Sequence, residues 1–184
     1  MSRPLRAEPS LSGPTFFVGV LPPPVLSARI LAWQLALGHV ITAPHVTLKA
    51  PGNLNAEQLL ACREVCRRTP PFDLRLSGVQ TFGQRVIYLA AGGEGLPALH
   101  GALVAAVGHP AGEFELDHYH PHLTLALSYR PIQLPWPDVL ASAHREFADL
   151  GRAPLTSQVQ HAALFRKDAP GQPYREAERW ALDG

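Results

Sequence analysis

One tetrapeptide pattern, histidine, an aliphatic residue, threonine and a second aliphatic residue, stands twice in this chain, as His45-Val-Thr-Leu and His122-Leu-Thr-Leu, 77 residues apart. At this composition the pattern is expected by chance about 0.02 times, and twice in roughly two chains in ten thousand, so the pair needs a structural cause. Alternate residues of a β-strand share a face. On a strand, His45 and Thr47 therefore point one way while Val46 and Leu48 point the other, and His122 and Thr124 stand in the same relation to Leu123 and Leu125. Such a chain must place two half-buried strands, each with its aliphatic face on a core and its His-Thr face toward a cleft.

The order of elements around the two tetrapeptides also repeats. The run TFFVGVL, residues 15–21, reads as a strand that stops at Pro22, Pro23 and Pro24, since proline cannot continue a central strand but can open a helix. Leu26, Ile30, Trp33 and Leu37 then form one helical stripe, ended by Gly38. After the first motif strand, residues 45–49, Asn55 and Gln58 have the form of a capping box for a helix through Arg68, and FDLRL, 72–76, reads as a third strand. The second half runs the same way: a strand at 85–91, a helix bearing Leu96, Leu99, Leu103 and Ala106, the strand 122–127, and a helix opened by Pro137 with Leu140, Ala143 and Phe147. Segments 155–165 and 174–182 read as two further strands. The pattern is βαβαβ twice over with an extra strand, the mark of an ancient duplication. It predicts an α+β fold in which duplicated halves form two antiparallel sheets around a central cleft, helices outside, with the repeated strands side by side about a pseudo-two-fold axis.

With 184 residues, 46% of them hydrophobic and 17% charged, the chain has the size and balance of one globular unit. Residues 1–14, with two arginines, three prolines and no apolar period, read as a flexible arm, leaving 15–184 as a single two-lobed domain. The net charge of +1 gives no sign of a broad electropositive face for a long nucleic acid, and leaves room for a site for one or two phosphates. The apolar stretch at 16–26 is short and broken by prolines, so no membrane span is expected. Cys62 and Cys66, one helical turn apart, read as small core residues in a reduced, cytoplasmic protein, and a monomer is expected.

Two histidines and two threonines facing one cleft suit transfer at a phosphodiester. One imidazole, neutral, takes a proton from the attacking hydroxyl; the other, protonated, gives one to the departing oxygen. Each threonine hydroxyl can donate to a non-bridging phosphate oxygen. That division of labour needs no metal and no cofactor. Two other readings stand beside it. His118, His120 and His122, at i, i+2 and i+4 with Asp117 behind them, have the spacing of zinc ligands on one strand face, although Pro121 interrupts it. The same cleft without turnover would be a module that binds an RNA end or a nucleotide.

At these residues the chain resembles the 2'-5' RNA ligase-like branch of the two-histidine (2H) phosphoesterases, which carries two H-x-[ST]-x motifs on a duplicated α+β fold. FFVGVLP resembles that family's opening strand, FGQRVIYL its central strand, YHPHLTL its second motif and YREAERWAL its closing strand, together covering nearly all of residues 15–182 in order. The resemblance implies an RNA cyclic phosphodiesterase that opens a 2',3'-cyclic phosphate to a 2'-phosphate, on an RNA 3' end or a small cyclic nucleotide, with reversible 2'-5' joining in some members. It places the catalytic positions on His45, Thr47, His122 and Thr124. The chain departs from the family pattern where Ala50 follows Lys49 and where Leu127 occupies a common arginine position. Arg130 is a candidate to supply that charge, Phe17 and Phe82 are candidates to stack on a base, and Arg85 is a candidate phosphate contact. The pH profile is expected to be a bell straddling neutrality.

Overall fold

The computed structural model describes residues 13–110 and 112–184, so the expected N-terminal arm lies, apart from Gly13 and Pro14, outside the described residues. Strand β1, Thr15–Val20, is buried along its whole length. Phe16, Val18 and Val20 face the main core, while Phe17 turns to a smaller cluster with Ala163 and Phe165 on the other face. Helix α1, Pro24–Ala36, has Pro23 at its N-cap and buries Leu26, Ile30 and Trp33, the stripe that the sequence predicts. Gly38 follows at a positive φ of 61°, which glycine adopts without the Cβ clash that penalises other residues.

Strand β2, Val46–Gly52, carries the first motif, and helix α2, Ala56–Arg68, opens with the predicted capping box. Gln58 N donates to Asn55 Oδ1 at 2.8 Å and Asn55 N donates to Gln58 Oε1 at 3.0 Å. Cys62 and Cys66 are free and buried on this helix; burial pushes their thiols up to about 11 and about 12, leaving them inert core residues. Strand β3, Phe72–Phe82, continues well past the predicted end and forms a hairpin with β4, Val86–Gly92. Helix α3, Gly95–Val107, a 3-10 turn at Leu116–His118, and β5, His122–Leu127, follow. Helices α4, Trp136–Glu146, and α5, Ala148–Arg152, break at Phe147. The chain closes with β6, Leu155–Val159, β7, His161–Lys167, and β8, Arg175–Ala181.

All strand pairs are antiparallel, in the order β6-β3-β4-β5-β2-β1-β7-β8. The two expected sheets are thus two four-stranded halves of one sheet, joined where β2 meets β5 through the pair Val46 and Leu123. The repeated strands do lie side by side. Two features differ from the sequence reading. Strand β3, which follows the first motif in sequence, pairs with β4 and β6 of the other half. The segment read as one strand at 155–165 is two, separated by Gln160, with β6 on one edge of the sheet and β7 beside β1 near the other edge. A single residue joining positions so far apart in strand order requires the sheet to curl until its ends meet, as the right-handed twist of strands allows.

The helices pack outside this curl and cross between halves. Gln34 on α1 donates Nε2–H to the Leu125 carbonyl at 2.8 Å, and His100 on α3 donates Nδ1–H to the Leu48 carbonyl at 2.5 Å. Each of these helices is therefore tied to the motif strand of the opposite half. No helix among the described residues is long and apolar enough to cross a membrane.

Candidate active site

The antiparallel register centred on Val46 and Leu123 sets His45 across from Thr124 and Thr47 across from His122. Val46, Leu48, Leu123 and Leu125 are all fully buried in the main core, which is what turns the His-Thr faces out. Local backbone fixes each imidazole the same way. His45 Nδ1–H donates to the Ala43 carbonyl at 2.6 Å, and His122 Nδ1–H donates to the His120 carbonyl at 2.7 Å. In both, a carbonyl two residues upstream selects the tautomer and leaves Nε2 as the nitrogen available to a ligand.

Each ring is also backed by aromatic side chains. Phe17 lies 4.7 Å and Phe165 5.2 Å from His45, centroid to centroid. Phe82 meets His122 edge-on at 4.9 Å, with Tyr88 at 5.4 Å. Gly19 makes room on the His45 side, since a Cβ there would sit 2.9 Å from the Val46 carbonyl oxygen and 3.6 Å from the His45 ring carbon Cδ2. This apolar support costs the charged imidazole its hydration. Burial pushes both histidines below their ordinary value of 6.5, the bonds to the carbonyls offsetting part of that; a charge on His122 lowers His45 further, and one on His120 lowers His122.

A cleft of about 740 Å3 opens beside the pair, lined by Thr47 and His122 together with Phe82, Arg85, Phe114, His118, Tyr119, His120 and Tyr129. Of the substrate contacts expected from sequence, Phe82 and Arg85 line it. Phe17 does not: it is 3% exposed, stacked on Phe165 at 4.5 Å and edged by Tyr174 at 4.8 Å, so both its faces are occupied and it supports His45 instead of meeting a base. Arg130 is exposed on the bend after β5 and is not part of the lining. Arg85 lies over the Tyr129 ring at 5.4 Å, which holds it at the rim.

The zinc alternative does not assemble. His118 ends the 3-10 turn while His122 opens β5, and among the described residues no three His, Cys, Asp or Glu side chains gather as ligands. His120 Nε2 instead approaches the Tyr88 hydroxyl at 3.5 Å, and that hydroxyl donates to Gln80 Oε1 at 3.1 Å.

Residues that sequence reasoning passed over tie the segment before the second motif onto the first. Lys49, 2% exposed, pairs with the equally buried Glu115 at 3.1 and 3.2 Å, and Glu115 Oε1 also accepts from Ala50 N at 2.8 Å. The Tyr119 hydroxyl donates to the Thr47 carbonyl at 2.8 Å, and its ring stacks on His100 at 3.9 Å. His100 Nε2 accepts from Leu116 N at 2.8 Å. His39 does the matching task on the other side, with Nδ1–H donated to the Pro131 carbonyl at 2.9 Å and Nε2 accepting from Leu127 N at 3.1 Å. A register irregularity between β1 and β2 sets Lys49 beside Val18, on the core face; strict alternation would have sent its ammonium to the cleft with His45 and Thr47, so only the bulge reveals its partner.

Residues 22–171 match the 2'-5' RNA ligase superfamily. In three dimensions the chain is similar to TT0787 of Thermus thermophilus, at 24% identity over 92% of this chain and 98% of that one, with a TM-score of 0.63. It is similar also to E. coli LigT complexed with 3'-AMP, at 23% identity over 94% and 100% of the two chains, with a TM-score of 0.58. The protein ATU0111 from Agrobacterium tumefaciens str. C58 keeps the fold at 13% identity, over 95% and 87% of the two chains, with a TM-score of 0.57. Among curated proteins none matches the chain. The duplicated fold and the family match across most of the sequence agree, and the chain belongs to the 2'-5' RNA ligase superfamily.

Proposed function

We propose that this protein opens a 2',3'-cyclic phosphate, on an RNA 3' end or a small cyclic nucleotide, to a 2'-phosphate by two-histidine acid/base catalysis. The observation that carries the reading is the matched pair of imidazoles, each locked through Nδ1 to a carbonyl two residues upstream. A water oxygen attacks phosphorus while Nε2 of the neutral histidine takes its proton. As the bond from phosphorus to the 3'-oxygen breaks, Nε2–H of the protonated histidine supplies that oxygen's proton, and the phosphate stays on the 2'-oxygen. Thr47 and Thr124 donate to the non-bridging oxygens, where charge accumulates. By reversibility, a 5'-hydroxyl in place of water is joined to the cyclic end in a 2'-5' linkage. The presence of 3'-AMP in the LigT structure supports a nucleotide in the corresponding cleft.

The test offers a 2',3'-cyclic-phosphate-ended oligonucleotide and a cyclic mononucleotide side by side to chelator-stripped protein, with product regiochemistry read by phosphorus NMR. The expected result is undiminished turnover to the 2'-phosphate. Binding without turnover identifies the non-catalytic module instead, and activity lost with metal and restored by zinc overturns the metal-free mechanism.

The lowered histidines set the direction in which the pH profile of the free protein should lie from neutrality. In the free protein burial disfavours the imidazolium of both members of the pair and pushes their proton affinity down from the ordinary histidine value. The protonated acid is therefore lost, and the neutral base gained, on the acid side of neutrality. Since kcat/KM reports the free protein, its bell should peak below 6.5, with limbs that belong to the coupled pair. Bound phosphate favours the imidazolium, so the bell for kcat should lie at higher pH. Steady-state kinetics across about pH 4 to 9 measure both. A kcat/KM optimum on the alkaline side of neutrality contradicts the assignment.

A further inference from the structure

The cleft is far larger than a cyclic phosphate requires. Its volume of about 740 Å3 falls in the range of roughly 300 to 1,000 Å3 that holds whole small-molecule ligands, and the space lies on the Thr47 and His122 side of the pair. Its rim carries two exposed aromatic side chains: Phe114, 76% exposed, and Tyr129, 59% exposed with the Arg85 guanidinium over its ring. Phe82, deeper in, has one ring face on Tyr88 at 4.1 Å and its edge engaged by His122, so it supports the histidine as Phe17 supports His45.

An exposed phenylalanine in a connecting segment ordinarily has no fixed place. Phe114 does, because its neighbours are held. Glu115 is buried on Lys49 and Ala50 N, and Leu116 N is bonded to His100. Leu116 itself has a φ of 58°, and it is the one non-glycine residue at positive φ among the described residues. A left-handed leucine is a strained conformation that surrounding contacts must maintain. Buried charge, side-chain hydrogen bonds and backbone strain are thus all committed to a segment whose projecting side chain faces the cleft rather than the core.

We infer that this rim holds the nucleobase of the nucleotide whose phosphate reacts, with Phe114 as the residue that stacks on it and Tyr129, steadied by Arg85, also lining the same cleft. The inference rests on the cyclic-phosphate reading and adds to it a base-bearing ligand and a residue that reads the base. Stacking is sequence-tolerant because every base has a π-face, so the rim prefers larger bases to smaller ones without excluding any. The contact is made equally in ground and transition states, and it therefore acts on KM and not on kcat.

The test compares wild type, Phe114→Ala and Phe114→Tyr on adenosine 2',3'-cyclic phosphate and on the baseless methyl riboside 2',3'-cyclic phosphate. Phe114→Ala should raise KM for the adenosine substrate roughly 5- to 150-fold, with kcat unchanged and the baseless substrate unaffected; Phe114→Tyr should restore the wild-type value. Calorimetric titration with adenosine 2'-phosphate reads the same contact without turnover and should weaken by the same factor in Phe114→Ala. Unchanged KM and unchanged adenosine 2'-phosphate affinity overturn the inference, as does an equal loss on the baseless substrate. Failure of the wild-type protein to turn over either substrate, with adenosine 2'-phosphate binding still dependent on Phe114, overturns the catalytic reading and leaves the rim assignment standing.

Discussion

His45→Ala and His122→Ala are each expected to lower kcat/KM by about 100-fold or more, the scale at which a general acid or base contributes. In the proposed mechanism each imidazole has a separate proton to move, and Nε2 of each is the nitrogen that its carbonyl bond leaves available. The fold should survive both changes. Both residues keep some exposure to solvent, and the register of β2 and β5 is held by Val46, Leu48, Leu123 and Leu125 on the opposite face. Thermal melts of the variants provide that control. Thr47→Val and Thr124→Val remove one hydrogen bond to a charged oxygen, worth about 1.5 to 3 kcal/mol, and should lose roughly 10- to 150-fold. If the histidines act as the proposed unit, the double alanine variant should be little worse than either single one. Near wild-type turnover in a folded single variant removes that histidine from the mechanism.

The second large effect concerns stability. Lys49 and Glu115 are each 2% exposed at their side chains, so removing one of them takes away the opposite charge that balances the other where water cannot reach it. Glu115→Ala and Lys49→Met should each cost about 3 to 5 kcal/mol, the usual consequence of breaking a buried pair from one side. The double variant should cost clearly less than the two single losses combined, since no charge is then left behind. Urea unfolding of the three variants measures this directly, and single losses under about 1 kcal/mol would show the pair to behave as a surface one. Glu115→Ala should also weaken substrate binding, because the same carboxylate accepts from Ala50 N and fixes the segment that bears Phe114.

How much of this was legible beforehand follows the range of the forces involved. The stripe Leu26, Ile30, Trp33, the Asn55 and Gln58 capping box and the two motif strands rest on neighbours within a few residues, and each stands where the sequence puts it. The helix expected from Pro137 starts at Trp136, a difference within the ordinary fraying of helix ends. The segment at 155–165 misled because two consecutive strands of similar composition look like one; which half each joins is a long-range pairing with no local mark. The same holds for β3, whose alternation FDLRL is indifferent to the sheet that receives it.

For the site, the duplicated tetrapeptide alone determined which four side chains share a face and which four aliphatic residues anchor them, because strand alternation is a property of the backbone. Tertiary structure decided everything that depends on what stands opposite. It buried Phe17 beneath His45, left Arg130 outside the cleft, turned Lys49 inward through a bulge to meet Glu115, and desolvated both imidazoles with aromatic neighbours from β1, β3, β4 and β7. Burial, charge pairing and proton affinity are set by residues far apart in sequence, and so periodicity could name the histidines but not the surroundings that tune them.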